Sequence, residues 1–293
     1  MRLILPSLLL AACAAAPEAS ADRCAPPTGW EAVADAAEGG FLVVGEMHGT
    51  NEVPAAFAQY VCAVSARDGR TLVGLEIGEA YAEALAAATT SDAPEALLRD
   101  AMDEVWRSTD GRGSEAMLAM MVDIAAMGGV DMLAFSRFAD LEALGMPMDA
   151  SQEEKLAWLQ SLPLHVTQQG REEAMAAVLN EAAPGYDRVI VLVGNIHAGK
   201  TRFDFLEGAD NMAMLLDGKV VALDNRFDGG EAWNAQGGSG KANEAGTWLD
   251  GVPEGADAPM MRLTAEVGPR YDGVLYVGSI TASPPAAGVP LTE

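Results

Sequence analysis

Six short apolar runs punctuate the chain, at residues 40–44, 71–77, 130–135, 189–193, 220–223 and 273–277. Each is apolar at successive positions rather than alternate ones, the pattern of strands covered on both faces of a sheet. Between them lie longer stretches with apolar residues at helical spacing: 53–66, 79–88, 94–102, 114–127, 153–162 and 167–182. Asp92 and Pro94 mark one helix start, Ser151 with Glu154 forms a capping box for another, and Pro184-Gly185 stops the last. Met117, Leu118, Met121 and Ile124 share one helix face and read as core filler. This alternation predicts a single α/β domain with a mostly parallel central sheet flanked by helices. An internal echo, VVGEMH at 43–48 and LVGNIH at 192–197, suggests two related half-units meeting at one site. Residues 226–251 lack a period, are rich in Gly, Ala and Asn, and hold Trp233 and Trp248. They read as a long loop, either a substrate wall or a surface loop.

The first 21 residues carry one Arg, an apolar run and then small residues, too short to span a bilayer permanently. Leu10-Ala11-Ala12-Cys13 fits a lipobox, with Cys13 acylated. Ala19-Ser20-Ala21 fits ordinary signal cleavage instead. Both readings export the protein, to the periplasm or to the outer membrane as a lipoprotein. Membrane attachment is expected only through a lipidated Cys13. The organisation expected is a leader at 1–21, the α/β domain at 22–282 and a tail at 283–293.

Forty-three acidic residues face 18 basic ones, a net charge of −25. Such a field excludes nucleic acid and anionic lipid as partners and leaves small molecules or peptides. With Cys13 assigned to processing, Cys24 and Cys62 form an even pair, and a disulfide between them is expected.

Candidate chemistry gathers at strand ends, because ligands of parallel sheets bind beyond the C-terminal edges. Glu46 and His48 follow the first run, Glu76 ends the second, Asn195 and His197 follow the fourth, and Asn225 and Arg226 follow the fifth. Gly45 and Gly194 let the backbone turn sharply and a ligand come close. Glu76, inside an apolar run, needs a buried partner: a His, an Arg or a metal. Glu52 opens a helix and reads either as capping charge or as a substrate contact. Arg112, in the polar loop of Trp106, Arg107 and Asp110, reads as a clamp for an anionic substrate group or as a surface arginine. Arg137, after the third run, has the same two readings. His165 reads as structural or as a helix start.

From GEMHGTNE through VLVGNIH, the chain resembles the superfamily of erythromycin esterases, ChaN-like haem-uptake lipoproteins and Tiki/TraB-type proteins. Paired Gly-x-x-His motifs and a glutamate after the second strand carry the likeness, at Gly45–His48, Gly194–His197 and Glu76. Erythromycin esterases place one more residue between Glu and His than Glu46-Met47-His48 does. Where relatives often carry an acid after the third strand, this chain has Arg137. The resemblance implies one of two functions. The first is a hydrolase of an ester, amide or peptide bond. There His48 acts as general base, or His48, His197, Glu46 and Glu76 hold Zn, Mn or Fe. Arg112, Arg137, Asn195 and Glu52 would then contact the substrate. The second is a haem- or iron-binding uptake protein in which His48 or His197 ligates haem.

Overall fold

The structure is a computed structural model and describes residues 24–137, 145, 146, 149–206, 208–234 and 241–287. The leader with Cys13, the last residues of the expected tail and the side chain of His165 lie outside the described residues.

All six predicted strands form, as β1 (Phe41–Glu46), β2 (Thr71–Gly78), β3 (Val130–Ser136), β4 (Arg188–Gly194), β5 (Val220–Arg226) and β9 (Gly273–Tyr276). With β8 (Met260–Leu263) they make one seven-stranded sheet in the order β3-β2-β4-β1-β5-β9-β8. Every pairing is parallel except β8 on β9. The strand β8 escapes a reading by hydrophobic runs because it is a four-residue edge strand, only partly buried, with Arg262 in its middle.

The burial of β1 and β4 shows why their runs are apolar throughout. Leu42, Val44, Ile190 and Leu192 face one core, while Phe41, Val43, Val189, Val191 and Val193 face the other. The first core is covered by α1 (Trp30–Ala37), α2 (Glu52–Ser65), α3 (Ala82–Ala88), α4 (Pro94–Ala101), α5 (Asp103–Trp106) and α6 (Glu115–Ala125). Met117, Leu118, Met121 and Ile124 are buried there as core filler. Ser114 caps α6 by accepting from the Met117 N–H. Beyond α7 (Gln152–Ser161), whose capping box joins Ser151 and Glu154 reciprocally, α8 (Leu164–Ala182) covers the second core with the short α9 (Asn195–Ala198).

The order of the strands creates the crevice. β1 and β4 are neighbours, with Glu46 opposite Gly194. The chain leaves β1 towards α2 on one face and leaves β4 towards α9 on the other. Diverging connections from adjacent parallel strands leave a gap above their C-terminal ends. The two echoing motifs therefore do meet, but not as separate half-units: β4 is inserted between β1 and β2, so neither half is contiguous.

Two loop expectations are corrected. Within 226–251, β6 (Gly230–Asn234) and β7 (Lys241–Ala245) form an antiparallel pair. Exposed Glu231, Lys241 and Glu244 dilute its apolar signal, and tertiary contacts hold it: the Trp233 N–H donates to the Gly49 carbonyl at 2.8 Å. Residues 283–287 are also packed rather than trailing. The Ser283 N–H reaches the Gly49 carbonyl at 2.8 Å and the Ala286 N–H reaches the Gly113 carbonyl at 2.9 Å. Among the described residues no helix is long and apolar enough to cross a membrane.

A disulfide joins Cys24 to Cys62, with Cα atoms 5.8 Å apart and a sequence separation of 38. It ties the segment before α1 to α2. Closing a loop of that length removes entropy from the unfolded chain, so the double variant Cys24→Ser/Cys62→Ser is expected to lose about 2–4 kcal/mol of unfolding free energy in urea titrations. An unchanged urea midpoint would show that the bridge contributes nothing.

Candidate functional site

The site begins with two glycines that make room for each other's motif. A Cβ on Gly45 would stand 2.9 Å from the Asn195 Cα and 3.0 Å from the Ala198 Cβ, so only glycine lets α9 lie against β1. A Cβ on Gly194 would stand 2.9 Å from His48 Nε2, so only glycine lets that ring settle over the end of β4. Neither glycine has positive φ; close approach, not a sharp turn, explains both.

Glu76 is the centre of the arrangement. Its position in β2 places it on the α8 face, and it is buried. Oε1 accepts from Arg112 Nη1 at 2.9 Å and Arg171 Nη2 at 2.6 Å. Oε2 accepts from the Gly194 N–H at 2.8 Å and lies 3.4 Å from His48 Nε2. His197 Nε2 is 3.8 Å from Oε1. A carboxylate so deep would be costly alone, and these donors replace the water it has lost. Burial pushes its pKa up, but the His48 hydrogen bond and the neighbouring His48 and Arg112 charges hold it well below the usual carboxylate range.

The two histidines have different partners. Both nitrogens of His48 face carboxylates: Nδ1 lies 3.0 Å from Glu46 Oε1, and Nε2 faces Glu76. Only a doubly protonated ring donates to both. Burial alone would lower the pKa of His48, but the hydrogen bonds and charges of Glu46 and Glu76 push it up to about 10. Glu46 Oε2 is buried with no partner among the described residues, so this carboxylate is paired only through the ring. His197 instead donates Nδ1–H to Glu172 Oε1 at 2.6 Å and lies in the cleft wall with Nε2 3.8 Å from Glu76 Oε1. Glu172 is fully buried; its Oε2 accepts from the Met212 N–H at 2.7 Å, and Gln168 donates to Oε1.

Glu46, His48, Glu76, Asn195, His197 and Arg112 thus line one cleft of about 440 Å³. Arg112 is gripped by Asp110 as well as by Glu76. Arg137 lines an adjoining hollow and pairs with Glu79 at 2.6 Å. Glu52 lies outside the cleft lining: its carboxylate accepts from the Thr281 N–H at 2.9 Å and the Thr281 hydroxyl at 2.6 Å and so fastens a loop. Arg226 is buried against Asp224 and stacked on Trp248, a structural role.

Sequence reasoning missed Arg171 and Glu172. The trace of Glu172 is legible in hindsight: it shares the helical stripe of Met175, Ala176 and Leu179, an acid at i on a face whose i+3, i+4 and i+7 positions are core. Arg171 carries no such mark.

The donors do not fit the expected metal. Glu76 is filled by two guanidinium groups and a backbone N–H, and among the described residues no three His, Cys, Asp or Glu side chains are placed to hold an ion. Haem needs apolar walls for its faces, whereas Glu46, Glu76, Asp110, Arg112 and Arg171 dominate this lining, with Met47 and Ile196 the large apolar exceptions.

No protein-family model matches the sequence, and no curated protein matches it either. Solved structures share the fold. A Bacillus cereus protein aligns with TM-score 0.57 and 13% identity, over 87% of this chain and 91% of its own. A succinoglycan biosynthesis protein aligns with TM-score 0.58 and 12% identity, over 86% and 90%. At such identities the likeness speaks for the fold alone.

Titration of the rings by NMR tests the electrostatics. His48 is expected to stay charged through neutrality and lose its proton near pH 10. Glu46→Gln should bring that midpoint down. The stabilisation from His48 is complete below the ordinary value of 6.5 and is lost as pH rises through about 10. That from Glu76 is complete above its ordinary 4.5 and is lost as acid protonates it. A wild-type His48 midpoint near 6.5 would contradict the clamp.

Proposed function

We propose that the protein is a hydrolase of an ester, amide or peptide bond in a small molecule or peptide, with water activated at the paired histidines. The unequal partnering of His48 and His197 around Glu76 carries this reading. Two titratable groups with opposed environments are how one cleft supplies an acid and a base together. Glu172 fixes the His197 proton on Nδ1, so the tautomer that acts as base carries its lone pair on Nε2, at the cleft wall and 3.8 Å from Glu76 Oε1. That nitrogen takes a proton from water as the water oxygen attacks the carbonyl carbon. His48, already charged, gives its Nε2 proton to the departing oxygen or nitrogen, and Glu46 keeps the ring oriented through Nδ1. Solvent then removes the proton from His197 and returns one to His48. The base role expected for His48 passes to His197 in this scheme, because carboxylates stand 3.0 and 3.4 Å from the two nitrogens of His48, whereas His197 Nε2 is 3.8 Å from Glu76 and beyond hydrogen-bond distance.

The protein works outside the cytoplasm in this reading, as its leader predicts. The Cys24–Cys62 bridge supports that, since disulfides persist in oxidising compartments.

A panel of chromogenic acyl esters and aminoacyl anilides tests the proposal. His197→Ala and His48→Ala are each expected to lose about 10²–10⁴ in kcat/KM while keeping the wild-type circular dichroism. Activity of the wild type should fall on the alkaline side only as pH approaches 10, where His48 ceases to be an acid. Folded alanine variants with full activity would refute both roles.

A further inference from the structure

Beyond Glu76 the cleft opens into a second hollow of about 540 Å³, which shares Glu76, Asp110, Arg112 and Arg171 with the histidine side. The chain has only 18 basic residues against 43 acidic ones, yet Arg112, Arg137 and Arg171 converge here from three separate segments. One precedes α6, one follows β3 and one lies on α8. Each is held by a carboxylate: Arg112 by Asp110 and Glu76, Arg171 by Glu76, Arg137 by Glu79. Their guanidinium groups are pinned, yet 29%, 46% and 27% of the Arg112, Arg137 and Arg171 side chains stay accessible. The Ser108 and Ser136 side chains line the same hollow.

Three guanidinium groups balance the three carboxylates of this lining, so the hollow is neutral inside a molecule of net charge −25. Elsewhere the field repels anions; here a small one enters without that cost. A pinned, planar guanidinium loses little freedom on binding, and its fork matches two oxygens of one oxyanion. We propose that the hollow is a subsite for an oxyanion group of the substrate, a carboxylate or a phosphate. The bond cut between the histidines then lies one pocket away from that group. What the occupant does rests on the hydrolase reading, but its binding does not.

Calorimetric titration of the full protein with inorganic phosphate and with acetate, at constant ionic strength, tests this. Saturable binding of at least one anion is expected, and the stronger of the two identifies the group. Arg137→Gln and Arg171→Gln should each weaken Kd about tenfold or more, whereas Arg67→Gln, an arginine paired with Asp35 away from the hollow, should leave it within about threefold. If Arg171→Gln unfolds by stripping a partner from Glu76, Arg137→Gln decides, since its described bond is to Glu79. Absence of saturable binding of both anions up to about 50 mM, or an unchanged Kd in the folded arginine variants, would overturn the subsite. Anion binding without hydrolysis of any substrate would keep the subsite and sink the hydrolase reading; hydrolysis without anion binding would do the reverse.

Discussion

The burial of one carboxylate organises the molecule's functional end. Glu76 cannot sit charged beneath the C-terminal edge of the sheet without donors, and the donors it recruits come from four places. They are the Gly194 N–H of β4, Arg112 before α6, Arg171 of α8 and the His48 ring beyond β1. Each contact ties a separate segment to the same point. Losing any one leaves the buried carboxylate with fewer of the donors that replace its water, so these contacts support one another.

Around that carboxylate the two histidines are alike in motif and unlike in chemistry. His48 stands between Glu46 and Glu76, whose hydrogen bonds and charges raise its pKa, while His197 gives one nitrogen to Glu172 at 2.6 Å and holds the other 3.8 Å from Glu76. The difference lies in the side chains that reach each ring, not in the rings. Glycine makes the arrangement possible from both directions: Gly194 clears space for His48, and Gly45 clears space for the helix that carries His197. A methyl group at either place would separate the two halves of the cleft.

Segments far from the chemistry hold it in place. The carbonyl of Gly49, next to His48, accepts from both Trp233 of β6 and Ser283 of the C-terminal strap. Glu52 and Asn51 fasten the same turn to Thr281. The turn that aims His48 is therefore pinned by the hairpin and by the strap. A poorly patterned loop and an apparent tail thus serve as supports, and their own sequences give little sign of it.

The amino-acid sequence by itself determined the six buried strands, the helices between them, the capping box of α7, the pairing of Cys24 with Cys62, and Glu46, His48, Glu76 and His197 as strand-end polar groups. These follow from local periodicity, from cysteine arithmetic, and from the cost of polar side chains in apolar runs, all of which act over a few residues or by count. Only the tertiary structure decided that β4 lies between β1 and β2, because strand order depends on contacts between distant segments. Tertiary packing likewise places Glu172 and Arg171 of α8 at the cleft, Glu52 against Thr281, and different partners around the two histidines. How readily a ring holds its proton depends on charges within a few ångströms, and apart from Glu46, two residues from His48, those neighbours come from other elements of the fold that only packing brings to the rings.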